Sequence, residues 1–412
     1  MKVLYISYDG VLEPLGESQV AAYLVRLARD SQPTLLTFEK GRDLRDRPRA
    51  GRMKTMLGEA GVRWIPLRYH KRPLILSTLW DVVVGILAGL SVAWSQRIEI
   101  VHARSYVPAL IAFCLKRIAG GKVLFDMRGF WADEKVDGGQ WTKDSRIYAL
   151  TKRCEKVFFE SADAIVSLTA AGVEAIPELG CWVPPQTPIL VIPTCTDLER
   201  FFPGPKDPLL LARLGLDGHR VIGCVGTMHN WYLRQPMLAY LAYLMSQDDK
   251  LKALIVTRDD HAQLRADAVT AGVPLDRLVL TEAAFPAMPA YIRLMDVGLF
   301  FIRVCFSKRG SAATKLGEFL ACGVPVIIND GVGDSGDIVR SHRVGVVLSD
   351  TSPGEFERAY HEAHKLLAEP DVATRCREVA VRYFDVDAGA RRYLELYRTL
   401  TGSLARSVAD HA

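Results

Sequence analysis

Short apolar runs alternate with stretches of helical periodicity along almost the whole chain, and this alternation limits the folds open to it. KVLYIS precedes the helical SQVAAYLVRLARD, and PTLLTFE, RWIPLR, EIVHARS, KVLFDMRG and AIVSLT follow, with helical runs such as VPALIAFCLKRIA between some of them. Such runs have strand length and few polar interruptions, as strands covered on both faces do. A strand–helix–strand rhythm implies a largely parallel, doubly wound sheet. PILVIPTCTDLERFFPGPKDP, with prolines at 188, 193, 203, 205 and 208, breaks the rhythm and reads as a linker. The rhythm then restarts through RVIGCVGTM, LKALIVT, RLVLTEAA, VPVIIND and VGVVLSD. A length of 412 residues suits two cores rather than one. The expected division is an N-terminal Rossmann-like domain over 1–198, a C-terminal one over 199–380, and a basic amphipathic helical segment over 381–412 that returns to the first domain. Ligand crevices are expected at the carboxyl ends of the strands, with the main site in a cleft between the domains.

Composition narrows the function. Hydrophobic residues make up 49% and charged residues 24%, which is globular rather than disordered. A net charge of +5 fits an anionic ligand or an anionic membrane surface, and no nucleic-acid partner is expected. Part of that charge lies in KGRDLRDRPRAGRMK, expected to be a solvated, mobile loop. Eight cysteines without a CxxC pair suit a reduced, cytoplasmic chain, and the first apolar run is too short and too soon polar for a targeting signal. LILSTLWDVVVGILAGLSVAW is as long as a membrane span. A span there would split the α/β pattern, so a buried helix is preferred.

SKRGSAATKLGEFLACGVPVIIND carries the clearest chemistry. The small residues Ser311, Ala312, Ala313 and Thr314 precede a short helix, whose N-terminus offers free N–H groups and the positive end of a dipole. Lys308, Arg309 and Lys315 add charge, so a diphosphate would suit this place. Glu318 lies one turn further in. It can accept hydrogen bonds from a ribose, or be an ordinary surface glutamate beside Lys315.

In this and other segments the sequence resembles the GT-B glycosyltransferases of glycosyltransferase family 4, which are retaining enzymes that use nucleotide sugars. TKLGEFLACGVPVI resembles the nucleotide-sugar helix and the strand after it, and VIPTCTDLERF the interdomain segment. IVHARSYVPAL, FDMRGFWADE, SADAIVSLT and YDGVLEPLGESQV resemble N-domain elements. The resemblance runs in order from about residue 1 to about residue 400. It implies the α/β GT-B fold, two doubly wound Rossmann-like domains facing a cleft that closes to exclude water.

The resemblance also implies site residues. Glu318 matches the second of two family glutamates, the one that binds the donor ribose. The first would fall at Gly310, so the sugar hydroxyl it usually holds would be held otherwise, by Ser311 or by backbone groups, or not at all. In GCVGTMHNWYLRQPM, Thr227 follows Gly226 where an arginine is usual, and Arg234 lies near the place of a usual lysine. Lys308 and Lys315 would supply the missing charge, with Thr314 at the helix start; Arg303 reads as a surface residue. In the N-domain, Arg128 falls near the place of a family histidine. It cannot act as a base, but its fork could hold a leaving phosphate or a sugar hydroxyl. His102 is expected at a strand end, facing the crevice or packed. Asp133 and Glu134 would meet the acceptor or be solvated. Gly10 and Gly16 would allow close backbone approach, or simply turn the chain.

The implied activity is transfer of a sugar from a nucleoside-diphosphate sugar, held by the C-terminal domain, to a glycan, lipid-linked or small-molecule acceptor, held by the N-terminal domain, with retention. Peripheral contact with the inner, anionic membrane face is a further expectation. No metal or cofactor is expected: HEAHK is not HExxH, the DxD of FDVD lies far from the nucleotide helix, and there is no P-loop and no GxGxxG after a strand. The rivals are a nucleotide-sugar epimerase of the same fold and a non-catalytic nucleotide- or glycan-binding derivative.

Overall fold

The apolar runs pair in parallel, and the order of pairing reverses once in each half of the chain. The computed structural model describes residues 1–72 and 74–402, without the side chains of Leu74 and Ile75. The chain divides into two units. One is Met1–Pro193 together with the C-terminal helix Val386–Thr401, and the other is Thr194–Asp385.

The first unit holds β1 (Lys2–Ser7), β2 (Gln32–Glu39), β3 (Arg63–Arg68), β4 (Ile100–Arg104), β5 (Lys122–Asp126), β6 (Ala164–Ser167) and β7 (Ile189–Val191). Their order is β3-β2-β1-β4-β5-β6-β7, with every pairing parallel. The strand order reverses between β1 and β4. β4 and β6 are buried along their whole length, because helices cover both faces of the sheet. β7 lies inside the proline-rich stretch read as linker: prolines at 188 and 193 bracket three strand residues, which pair at the sheet edge.

The second unit holds β8 (Arg220–Val225), β9 (Leu251–Val256), β10 (Leu278–Thr281), β11 (Val297–Phe300), β12 (Val326–Asn329) and β13 (Gly345–Leu348). They run β10-β9-β8-β11-β12-β13, again all parallel, with the reversal between β8 and β11.

The helix Val386–Thr401 buries Tyr393, Leu394, Leu396 and Tyr397 against the helix Ala22–Leu27 and β4. Arg26 Nε donates to Asp387 at 2.8 Å, so the second aspartate of FDVD serves this packing. The rest of the expected C-terminal helix, from residue 403, lies outside the described residues. The basic stretch after Lys40 is not a loop. It forms the helices Gly41–Arg45 and Arg47–Glu59, because Asp46 accepts from the Arg49 amide at 3.1 Å and Pro48 suits a first turn. Gly85 and Gly89 of the helix Leu74–Gln96 leave room for Ile111 and Leu115, which a Cβ would meet at 2.6 and 2.7 Å. That helix is therefore buried on one face only.

Candidate functional site

In the second unit the loops after β8 and β11 leave the sheet on either side of its reversal, where open α/β sheets form crevices. The loop after β8 begins at Gly226, whose φ of +75° belongs to the left-handed region that glycine enters at no cost. A side chain at Gly226 would also meet the Lys315 stem at 3.3 Å. The loop is pinned across the sheet end. The Leu233 amide donates to the Phe301 carbonyl at 2.9 Å and the Arg303 amide to the Trp231 carbonyl at 2.8 Å. The Asn329 side chain, which bonds both the amide and the carbonyl of Ile302, fixes the partner segment.

This bracing sets two lysines over two rings. Lys315 Nζ lies 3.4 Å from the centre of the Tyr232 ring and donates to the Thr227 carbonyl at 3.1 Å. Lys308 Nζ lies 3.7 Å from the centre of the Trp231 ring. Both lysines are buried. Lys315 lies in the first turn of the helix Thr314–Ala321, whose N-cap position is Ala313 and has no side-chain cap, so amides at that end are open to an anion. Burial pushes the Lys315 ammonium down to about 8, against the opposing pull of Cys224, Glu318 and Asp259. Glu318, one turn on, is half-buried. Burial pushes its carboxyl up to about 7, while Lys315 draws it down. Among the described residues no hydrogen bond reaches its carboxylate. Ser311 is half-buried just before the helix, and Gly310 is buried at the end of the turn Phe306–Gly310.

Gly226, Thr227, Lys308, Thr314, Lys315 and Glu318 thus gather at one strand end. Arg234 is engaged elsewhere. It pairs with Asp267 at 2.8 Å and Asp259 at 3.4 Å and donates to the Met228 carbonyl at 3.3 Å. Asp259 in turn accepts from the Met228 amide at 2.8 Å, so Arg234 holds the loop in shape. Arg303 is exposed. Trp231, Tyr232 and Asn329 were not legible as site residues; the adjacent aromatics in HNWYLR were the only signal.

In the first unit the sequence places His102 at a strand end, but β4 continues to Arg104 and leaves His102 at its centre, fully buried. Its Nδ1 and the Tyr397 hydroxyl are 2.7 Å apart, and its ring packs on Tyr5 with centroids 4.1 Å apart. Burial lowers its pKa, with Asp126 opposing, so it is a neutral core residue at neutral pH. Arg128 follows β5 with φ +57° and lies 3.9 Å from Asp126. Burial works against its charge, but Asp126 and the nearby tyrosines hold the charge in place. Asp133 accepts from Tyr148 at 2.8 Å and from Lys152 at 3.0 Å, in a buried network with Glu155 and Tyr106. Glu134 is half-buried in the same short helix, Trp131–Asp137.

Gly16 has helical dihedrals, and its lack of a side chain serves the protein itself: a Cβ there would sit 2.0 Å from the Gly10 carbonyl oxygen. The Gly10–Leu12 turn is also held by Glu39, which accepts from the amides of Val11 at 2.8 Å and Leu12 at 3.3 Å. Gly16→Ala should displace this turn and cost about 1–3 kcal/mol, the usual range for overpacking. Urea denaturation would measure it, and a cost below a few tenths would mean that the turn yields freely.

Residues 16–195 match the Glycosyl transferase 4-like domain, and residues 219–365 match Glycosyl transferases group 1. A search of curated proteins finds no match. Among solved structures, sucrose-phosphate synthase from Thermosynechococcus elongatus superposes with a TM-score of 0.72 at 17% identity, over 98% of this chain and 99% of that one. Anabaena HepE, in complex with UDP and glucose, gives 0.72 at 15% identity, over 97% and 100%. A glycosyltransferase from Rickettsia africae ESF-5 gives 0.71 at 13% identity, over 97% and 98%. At these identities the likeness is one of fold, and the fold is GT-B. With both halves matched in order, the chain belongs to the glycosyl transferases of group 1, behind a glycosyl transferase 4-like N-terminal domain.

Proposed function

We propose that this glycosyltransferase moves a hexose from a nucleoside-diphosphate sugar, with UDP-glucose the first donor to try, and retains the anomeric configuration without a metal. The observation that carries the donor reading is the buried Lys315 ammonium, set on Tyr232 beside Gly226 at an uncapped helix start. A diphosphate there would meet amides, Lys315 and Lys308 together. As the sugar–phosphate bond breaks, negative charge grows on the leaving diphosphate, and fixed positive groups stabilise it more than they stabilise the ground state. Glu318 would accept from the ribose hydroxyls. Retention fits same-face attack, in which the leaving phosphate takes the acceptor proton, so no base is required of the protein. The UDP and UDP-glucose bound to HepE support the choice of donor.

Thermal shift with UDP-, GDP-, ADP- and TDP-sugars tests this on the wild type and Glu318→Ala, since a ligand of the folded state raises its stability with occupancy. We expect a shift with UDP-glucose that shrinks in Glu318→Ala. No shift with any donor would sink the reading and favour a non-catalytic derivative. Consumption of the donor with no acceptor, giving an isomerised sugar, would favour an epimerase.

The same site predicts a pH optimum for binding. The diphosphate needs Lys315 charged, so affinity should fall as pH rises past about 8. The ribose needs Glu318 ionised, so affinity should fall as pH drops below about 7. Titration calorimetry across this range checks it, and a flat profile would remove both groups from the donor site.

A further inference from the structure

The helix Leu74–Gln96 is packed on one face and bare on the other. Leu76, Trp80, Val83, Leu87 and Trp94 are 48–66% exposed and recur at helical spacing, so they form one stripe along a helix about 34 Å long. A contiguous apolar surface of this kind marks a contact. Both ends of the stripe carry an excess of positive charge. Lys71 and Arg72 are exposed before it, and at its far end Arg97 and Arg117 are exposed with one acid, Glu99, between the helix and the next strand. A second copy of the chain would set cation against cation whichever way it ran. An anionic bilayer would meet both ends favourably and take the tryptophans at its interface.

A second observation joins this face to the interior. A cavity of about 490 Å³ lies in the first unit, lined by Leu79, Val82, Leu110, Trp131, Leu150 and Phe158. Leu79 and Leu150, 53% and 61% exposed, belong both to the outer surface and to the cavity wall. The lining also includes Tyr8 and Asp9 after β1 and Lys40 after β2, at the carboxyl ends of the strands. An apolar chamber that is open to the exposed helices and polar at the strand ends matches an amphiphile.

We propose that the acceptor is a lipid-anchored molecule: the outer face of Leu74–Gln96 rests on an anionic bilayer, and the aliphatic chain of the acceptor enters this cavity with its head group at the ends of β1 and β2. This deepens the reading above: it rests on that reading's transfer of a sugar to an acceptor, and it places the acceptor in the first unit.

The test needs no donor, so its failure is distinct from failure of the donor site. The full chain is floated with vesicles of phosphatidylcholine, with and without phosphatidylglycerol. The wild type should float with the anionic vesicles and be released by salt, whereas Trp80→Glu/Leu87→Glu should stay in solution with an unchanged melting temperature. For the cavity, dodecyl maltoside below its micelle concentration should raise the melting temperature of the wild type but not of Leu150→Glu, and maltose should do nothing. The proposal is overturned if the wild type ignores anionic vesicles, if the double variant floats as the wild type does, or if the detergent shift is absent or unchanged in Leu150→Glu. A wild-type dimer that the double variant turns into a monomer, without vesicle binding, would give the face to a second copy and overturn it too.

Discussion

Lys315→Met should lower turnover of the nucleotide sugar by about 10²–10³-fold while leaving the fold intact or firmer. The magnitude is that of losing one fixed donor to a charge that develops in the transition state. The second half of the expectation follows from burial. The Lys315 ammonium is held down to about 8, below the value of a lysine in water, so the folded state disfavours its charge. Below about pH 8 the fold carries that cost, and the cost fades as pH rises toward the unfolded value. Methionine fills the same space over Tyr232 with no charge to bury, so the melting temperature at neutral pH should hold or rise. Steady-state kinetics and a melt on the same preparation decide it. Unchanged turnover with a lowered melting temperature would make Lys315 a structural clasp on Thr227 rather than a phosphate group's partner.

The largest loss of stability is expected at Asp126→Ala, about 3–5 kcal/mol, the range for removing one member of a buried charge group. Asp126 is 1% exposed, Arg104 is buried near it, and the half-buried Arg128 lies 3.9 Å away. One of its oxygens accepts from Tyr393 at 3.1 Å and lies 3.5 Å from His102 Nε2; the other has no hydrogen-bond partner among the described residues. Burial raises its pKa, but Arg128 and His102 outweigh that and leave it below the ordinary carboxylate range. Because the folded value is the lower one, the stability this group supplies is present at neutral pH and is lost as pH falls through it. Alanine would leave the arginine charges without their counter-charge. Urea denaturation should show the loss, and Asp126→Ala/Arg128→Met should recover part of it. A single-variant cost under about 1 kcal/mol would show that the arginines are neutralised by other groups.

Much of the chemistry proposed for the donor was legible because it lies close together in sequence. Lys308, Thr314, Lys315 and Glu318 sit within eleven residues on one turn and one helix, and local chain geometry alone brings them to the same end. Trp231 and Tyr232 lie some eighty residues away and reach the lysines only through strand-end bonds between 231–233 and 301–303. Nothing local announces that pairing. Arg234 shows the converse: its position suggested a phosphate contact, but Asp259 and Asp267, from the next crossover, take its guanidinium. His102 was ambiguous because periodicity gives a strand's existence better than its end, and two residues of extra strand move the ring from the crevice into the core.

The parallel α/β architecture and its repeat in two halves were readable in the chain alone, since hydrophobic period and turn residues are local properties that the backbone must obey. Which charges are neutralised, which glycines make room for neighbours rather than for ligands, and which face of Leu74–Gln96 stays bare emerge only when the chain packs. Those outcomes depend on what packs against each side chain. Apolar residues read alike in one sequence whether they meet a neighbouring helix or nothing, and burial and the nearness of distant charges exist only once the chain has closed on itself.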